Sequence, residues 1–187
     1  MSFVIVFEGL PGSGKTTLKN DLMFGQLIVD RVEQILPDNP DNDEELTLDD
    51  IFRSDTLKTE RIINRKGDIV LLDRYYLSTL AYQYAHDKVF GSNNYNISRE
   101  WYDSALQSGL IVQPDLTVYI DTPLEASYKR KNRMPNTSEW TNQAFLLAMK
   151  EFYDTQNETV VVDGSLTYNE VKNTIITIVK EMMNGGK

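Results

Sequence analysis

The chain has 187 residues with a formal net charge of −9, and 41% of its residues are hydrophobic and 25% charged. No apolar run of the sequence approaches the roughly 20 residues that a membrane span needs, and an acidic chain makes nucleic acid a poor partner. The absence of cysteine excludes disulfides and cysteine chemistry, and His86 is the sole histidine. We expect one cytoplasmic domain spanning residues 1–187.

Apolar runs of strand length alternate along the chain with segments of helical periodicity. We predict strands at 3–7, 27–36, 69–72, 116–120 and 159–162. Helices are predicted from residue 15 onward and at 46–65 with a break near 54, then at 76–90, 98–109, 122–132, from about 139 to 156, and at 168–183. Such alternation predicts an α/β fold in which about five parallel strands carry helices on both faces. Ligands of such sheets bind at the carboxyl ends of the strands.

A phosphate-binding loop joins the first strand to the first helix. The residues from Gly9 to Thr16, GLPGSGKT, match the pattern G-x-x-x-x-G-K-[ST] in the strand-to-helix context that confirms it. Its backbone N–H groups and the following helix terminus attract anions, Lys15 adds a charge for the β- and γ-phosphates, and Thr16 offers a hydroxyl to Mg²⁺. We therefore predict an ATP site formed by Gly9, Leu10, Pro11, Gly12, Ser13, Gly14, Lys15, Thr16 and Thr17.

A second motif, LLDRYYLSTLAYQ, covers residues 71–83. Asp73 follows a buried strand, so we expect its carboxylate at the ligand edge of the sheet, beside the loop, where it can serve Mg²⁺ or an acceptor hydroxyl. Arg74 carries a planar guanidinium that can hold a phosphate by two contacts. By itself an Asp-Arg pair is equally compatible with a structural ion pair.

Together these strings resemble the thymidylate kinase family of P-loop nucleoside monophosphate kinases, and the resemblance covers most of the chain. It rests on Phe7-Glu8-Gly9 before the loop, on Asp73-Arg74-Tyr75 with its continuation to Gln83, and more softly on the stretches 114–125 and 162–165. The resemblance implies a P-loop kinase fold, a possible homodimer, and transfer of the γ-phosphate of Mg-ATP to a pyrimidine deoxynucleotide, with dTMP as first choice. It also implies that Arg74 grips the acceptor and that Thr79 and Gln83 face the base.

A third cluster is basic and covers residues 129–133, KRKNR, at the end of a predicted helix. Residues three and four apart share one side of a helix, and phosphoryl transfer needs positive charge over the moving group. Since the variable part of the loop, LPGS, has no basic side chain, we predict a lid region at about 129–140. Arg130 and Arg133 are its candidate catalytic residues.

Two departures from the family pattern affect the acceptor side. Pro11 stands where the family carries an acidic residue that meets the sugar of the acceptor, and proline has neither charge nor N–H donor. The second strand is followed by Glu33 and QILPD, instead of the arginine–glutamate–proline–glycine–glycine turn that helps hold the acceptor phosphate. Arg53, in the next predicted helix, is a candidate replacement for that arginine.

These departures leave alternatives open. Deoxynucleoside kinases share the fold, lack the loop acid and place a glutamate after the second strand as general base, a role that Glu33 would fill. Those enzymes carry Glu-Arg-Ser where this chain has Asp73-Arg74-Tyr75, so the signature favours a monophosphate acceptor. A regulator that binds nucleotide without transferring phosphate is a further alternative.

The segment 38–50 holds seven acidic and no basic residues, and we interpret it as a solvated loop leading into a helix.

Overall fold

The computed structural model describes residues 2–33, 47–131 and 142–185. Within these ranges five strands form one sheet in the order β2-β3-β1-β4-β5, and each neighbouring pair is parallel. The strands are β1 (Phe3–Glu8), β2 (Val29–Val32), β3 (Ile69–Asp73), β4 (Leu116–Asp121) and β5 (Val160–Asp163). The predicted five-stranded parallel sheet is confirmed.

Helices connect successive strands and cover both faces of the sheet. In the described ranges they are α1 (Lys15–Asp21), α2 (Leu48–Ile63), α3 (Tyr76–Phe90), α4 (Asn94–Ser108), α5 (Leu124–Lys131), α6 (Gln143–Asp154) and α7 (Tyr168–Gly185). None of the described helices is long and apolar enough to cross a membrane. The predicted lid at about 129–140 falls largely outside the described residues.

The structure corrects one predicted helix break and two predicted element starts. Helix α2 runs without a break through Ser54, which is buried, so packing overrides the weak helix propensity of serine. Helix α4 begins at residue 94 instead of 98, because the Asp87 carboxylate on α3 accepts the N–H groups of Asn94 and Tyr95, each at 2.9 Å. Strand β2 begins at Val29, later than predicted, and Glu33 already lies beyond its end.

Two apolar clusters lie on opposite faces of the sheet because successive residues of a strand point to opposite sides. Val4 and Val6 of β1 pack in the cluster that includes side chains of α2, α3, α4 and α6. Ile5 and Phe7 pack with side chains of α1 and α7 in the other cluster. The core is therefore a sheet buried on both faces, typical of parallel α/β folds.

The register of the sheet brings several acidic residues to one edge. Phe7 of β1 lies beside Asp73 of β3, which places Glu8 one residue beyond it. On the other side of β1, Asp121 ends β4 opposite Asp163 of β5. The phosphate loop and the Asp73-Arg74 pair thus leave the sheet at the same carboxyl edge.

Candidate active site

The phosphate loop needs glycine at three of its positions. Gly9, Gly12 and Gly14 have φ angles of 139°, 74° and 93°, in a region that other residues rarely adopt. At Gly9 a Cβ atom would also lie 2.7 Å from the carbonyl oxygen of Ile120. The loop can therefore curl tightly between β1 and the start of α1, as the motif predicts.

Lys15 is buried at the start of α1 and its ammonium group contacts its own loop. Nζ donates to the carbonyl oxygens of Gly9 at 3.0 Å and Leu10 at 2.7 Å, and to Oγ of Ser13 at 2.9 Å. Burial lowers the pKa of Lys15 well below its usual value, and the positive charge of Arg74 lowers it further. A phosphate group at the loop would supply the negative charge that this buried cation needs.

A contact between Thr16 and Asp73 links the loop to the second motif. The Thr16 hydroxyl donates to Oδ2 of Asp73, while Oδ1 of Asp73 is buried and has no hydrogen-bond partner among the described residues. Leaving a buried acceptor unpaired is costly, and hard cations such as Mg²⁺ prefer oxygen ligands. Since the described residues contain no group of three or more His, Cys, Asp or Glu suited to a metal, a Mg²⁺ ion here would share its coordination with substrate phosphates.

Arg74 occupies a strained turn at the end of β3. Its φ angle is 65°, and it is the non-glycine residue with positive φ in the described ranges. The Arg74 N–H donates to the carbonyl oxygen of Phe7 at 3.0 Å, and its Nη1 donates to Oγ of Ser78 at 3.0 Å. Arg74 is half-buried, and its charge lowers the pKa of Lys15.

Glu8 is a buried acid that the sequence motifs did not assign to the site. Its carboxylate accepts the N–H of Tyr75 at 2.9 Å, the hydroxyl of Tyr153 at 3.1 Å and the hydroxyl of Ser78. Burial raises the pKa of Glu8, while the hydrogen bond from Ser78 and the charge of Arg74 oppose that rise. The signal available in the sequence was its place directly before the first loop glycine.

Helix α5 contacts the outer side of the loop. Ser127, fully buried, donates its hydroxyl to the carbonyl oxygen of Pro11 at 2.6 Å, and Nη1 of Arg130 donates to the carbonyl oxygen of Gly12 at 3.0 Å. The structure therefore places Arg130 at the loop, whereas Arg133 lies outside the described residues. Pro11 is itself buried, so it joins the loop to α5 through packing and its carbonyl group.

Thr79 and Gln83 lie on one face of α3 but differ in their surroundings. Thr79 donates its hydroxyl at 3.2 Å to Asp55, a buried carboxylate that also accepts Lys58 at 2.8 Å and Tyr102 at 2.6 Å. Gln83 is buried, and its amide makes no hydrogen bond to another described residue. Of the two, Gln83 has the group available to read a base, while Thr79 belongs to a buried network between α2, α3 and α4.

The end of β2 carries an ion pair where the family places its arginine turn. Nζ of Lys19 lies 3.1 Å from Oε2 of Glu33, and the Lys19 side chain is 3% exposed whereas that of Glu33 is 71% exposed. Lys19 is one helical turn after Lys15, and helical side chains lean toward the N-terminus, that is, toward the loop. Sequence reasoning missed Lys19, although its spacing from Lys15 was a usable signal. Arg53 is exposed on α2.

Comparisons with known proteins agree with this arrangement. The family model described as thymidylate kinase matches residues 25–175. A probable thymidylate kinase from Archaeoglobus fulgidus is 26% identical over 203 residues, covering 97% of this chain and 96% of the relative. The thymidylate kinase of Acholeplasma laidlawii is 30% identical over 196 residues, covering 89% and 93%.

Solved structures share the fold. Deoxyadenosine kinase from M. mycoides with bound dATP superposes with a TM-score of 0.72 at 14% identity, covering 95% of this chain and 99% of that one. Thymidylate kinase from Candida albicans superposes with a TM-score of 0.67 at 19% identity, covering 98% and 93%. These comparisons confirm the resemblance drawn from the motifs and the predicted P-loop kinase fold. The chain belongs to the thymidylate kinase family and is a phosphotransferase of the nucleotide kinase type.

Proposed function

We propose that the protein transfers the γ-phosphoryl group of Mg-ATP to a pyrimidine deoxynucleoside monophosphate, with dTMP giving dTDP as first choice. The observation that carries the proposal is the contact between Thr16 and Asp73, which brings the phosphate loop and the Asp73-Arg74 pair together. A donor phosphate on the loop and an acceptor phosphate on Arg74 would then meet at one edge of the sheet.

On the donor side, the loop N–H groups and Lys15 hold the β- and γ-phosphates of ATP. Thr16 and Asp73 would hold Mg²⁺, which when bound neutralises phosphate charge and orients the triphosphate. Arg130 contacts the loop at Gly12, which makes its guanidinium the candidate to add positive charge over the transferring group. Arg133 keeps this role only as a prediction.

On the acceptor side, Arg74 binds the phosphate of the monophosphate by its guanidinium fork. Lys19 places a second cation at the end of β2, where the family's arginine turn is missing, and it is a better candidate for that role than the exposed Arg53. Gln83, with its amide free of other described residues, is the candidate for contact with the base, while contact of Thr79 with the base stays a prediction because its hydroxyl bonds to Asp55.

In the chemical step the protein mainly positions the two phosphates and stabilises the negative charge of the transferring group. An oxygen of the acceptor phosphate forms a bond to the γ-phosphorus of ATP while the bond from that phosphorus to the β–γ bridging oxygen breaks, so the products are ADP and the nucleoside diphosphate. Lys15, Arg74 and Arg130 stabilise the charge on the transferring group. Because the acceptor phosphate brings its own nucleophilic oxygen, no general base is needed.

Phosphorylation of a nucleoside 5′-hydroxyl is the second candidate, and one observation favours it. Glu33 follows β2 at the carboxyl edge of the sheet and its carboxylate pairs with Lys19, which makes it the candidate base for that reaction. The ion pair counts against this role because it occupies one carboxylate oxygen with a cation. The Asp73-Arg74-Tyr75 signature also favours the monophosphate.

An ADP-release assay with a panel of acceptors tests the proposal. The panel contains dTMP, dUMP, dCMP, dGMP, thymidine and deoxycytidine, and Lys15→Ala is the control for contaminating kinases. We expect turnover with pyrimidine monophosphates that Lys15→Ala reduces by orders of magnitude. Turnover with nucleosides alone contradicts the proposal, and tight ATP binding without turnover on any acceptor supports the non-catalytic regulator instead.

A further inference from the structure

Glu8 is a fully buried carboxylate at the active site for which the proposed reaction has no use. It lies at the end of β1, and no solvent reaches its side chain. Burying a charge is costly unless it is well paired, and the structure gives this carboxylate three hydrogen-bond donors. Two of those donors belong to the segment that contains Arg74.

The hydrogen bonds between Arg74 and Glu8 run in one direction, from the Arg74 guanidinium to the Glu8 carboxylate. A guanidinium can only donate, so Nη1 of Arg74 donates to Oγ of Ser78 at 3.0 Å. Because an ionised carboxylate can only accept, the Ser78 hydroxyl donates its single proton onward to Oε2 of Glu8. The order Arg74, Ser78, Glu8 is therefore a relay in which the carboxylate orients the hydroxyl and the hydroxyl orients the guanidinium.

The same carboxylate also fixes the backbone of Arg74. Oε1 of Glu8 accepts the N–H of Tyr75 at 2.9 Å, directly after Arg74, and the carbonyl oxygen of Phe7 accepts the N–H of Arg74 itself at 3.0 Å. Arg74 has a φ of 65°, which a non-glycine residue keeps only where its surroundings impose it. The end of β1 thus restrains Arg74 at its backbone and at its guanidinium.

We propose that Glu8 is a positioning residue, which holds Arg74 through Ser78 and through the Tyr75 N–H so that the guanidinium is aimed at the phosphates. This inference rests on the proposed function for the role of Arg74. Glutamine at position 8 has one acceptor oxygen in place of two, so either the Ser78 hydroxyl or the Tyr75 N–H loses its partner. Glu8→Gln should therefore disturb the relay without removing side-chain volume.

Ser78→Ala cuts the relay while leaving Glu8 and Arg74 in place. We expect it to lower kcat/KM for the acceptor about tenfold, the scale of one hydrogen bond to a charged group, with the KM for ATP unchanged. In an Arg74→Ala background the same substitution should have no further effect, because the relay then has nothing to position. An undiminished effect in that background overturns the proposal.

Thr59→Val is the matched control, because it deletes a buried hydroxyl on α2 that bonds to the Tyr75 hydroxyl and leaves the relay intact. We expect it to lower the melting temperature while kcat/KM stays within about twofold of the parent. If Ser78→Ala and Thr59→Val have the same effects on kcat/KM, Ser78 has only a structural role and the proposal is wrong.

A measurement on Arg74 itself separates this inference from the proposed function. In the ¹⁵N–¹H NMR spectrum, we expect an Nη–H signal of Arg74, assigned by its loss in Arg74→Ala, to be resolved and slow to exchange because Nη1 donates to Ser78. Glu8→Gln and Ser78→Ala should broaden or shift it, whereas Thr59→Val should not. An unchanged signal in both relay variants overturns the inference even in an active enzyme. Absence of turnover on every acceptor would instead remove the proposed function.

Discussion

The hydrogen bond from Ser127 to the carbonyl oxygen of Pro11 gives a quantitative test of how α5 supports the phosphate loop. Both residues are buried and the bond is 2.6 Å long, so Ser127→Ala leaves a buried carbonyl group without its partner. Such a loss costs about 1–2 kcal/mol. At about 2–4 °C per kcal/mol for a chain of this size, the melting temperature should fall by about 2–8 °C.

Ser104→Ala is the control for this prediction. It deletes the same kind of bond, from Oγ to the carbonyl oxygen of Glu100 at 3.0 Å, on an exposed turn of α4, and should change stability by less than about 0.5 kcal/mol. Calorimetry would give both melting temperatures, and titration with ATP would give both dissociation constants. We expect weaker ATP binding for Ser127→Ala alone. Equal stability and equal ATP affinity in the two variants would refute the idea that α5 holds the loop through Pro11.

Three further predictions concern charged residues of the site. Burial lowers the pKa of Lys15 in the folded state, so between the folded pKa and 10.5 the unfolded chain binds more protons than the folded chain. The free energy of unfolding of the parent relative to Lys15→Met should therefore rise with pH across that window. Urea unfolding at neutral and alkaline pH measures this difference, and a difference that does not change with pH contradicts the prediction. Asp73→Asn removes a charge from the predicted Mg²⁺ site and should raise the Mg²⁺ concentration for half-maximal activity about tenfold or more; an unchanged Mg²⁺ dependence would remove Asp73 from that role. Glu33→Gln should lower kcat with a monophosphate acceptor by less than about tenfold, whereas a loss of roughly 10²–10⁴-fold, typical of a general base, would favour the nucleoside reaction.

Much of the fold could be predicted because each strand is a short apolar run separated from the next by a helical segment. The parallel sheet and its two covered faces follow from that alternation. The errors came from interactions that local patterns do not contain. The start of α4 depends on the Asp87 carboxylate of another helix, and the continuity of α2 depends on burial of Ser54.

The candidate site likewise contains residues that the sequence identified and residues that it did not. Lys15, Thr16, Asp73 and Arg74 were found because their spacing is a motif with a known physical purpose, and the structure brings Thr16 and Asp73 into contact. Their roles in the reaction stay predictions. The contact of Arg130 with the loop could be anticipated only as positive charge near the phosphates.

The distant partners of Glu8, Lys19 and Thr79 could not be identified from residue spacing. Glu8 meets Ser78 and Tyr153, which are 70 and 145 residues away along the chain. Lys19 meets Glu33 across the gap between α1 and the end of β2. Thr79, whose contact with a base stays a prediction, donates its hydroxyl to Asp55 of another helix. Such pairings are set by the tertiary structure, so a single sequence contains no pattern for them.

The most direct test of the proposed function is identification of the product made from each of two matched acceptors. The protein is incubated with γ-labelled ATP and either dTMP or thymidine, and the labelled nucleotide is separated and identified, with Lys15→Ala as the control. Arg74 and Lys19 beside the phosphate loop predict labelled dTDP, formed from dTMP with a higher kcat/KM than any product from thymidine. Labelled dTMP made from thymidine, with no dTDP made from dTMP, would contradict the proposal that the acceptor is a monophosphate.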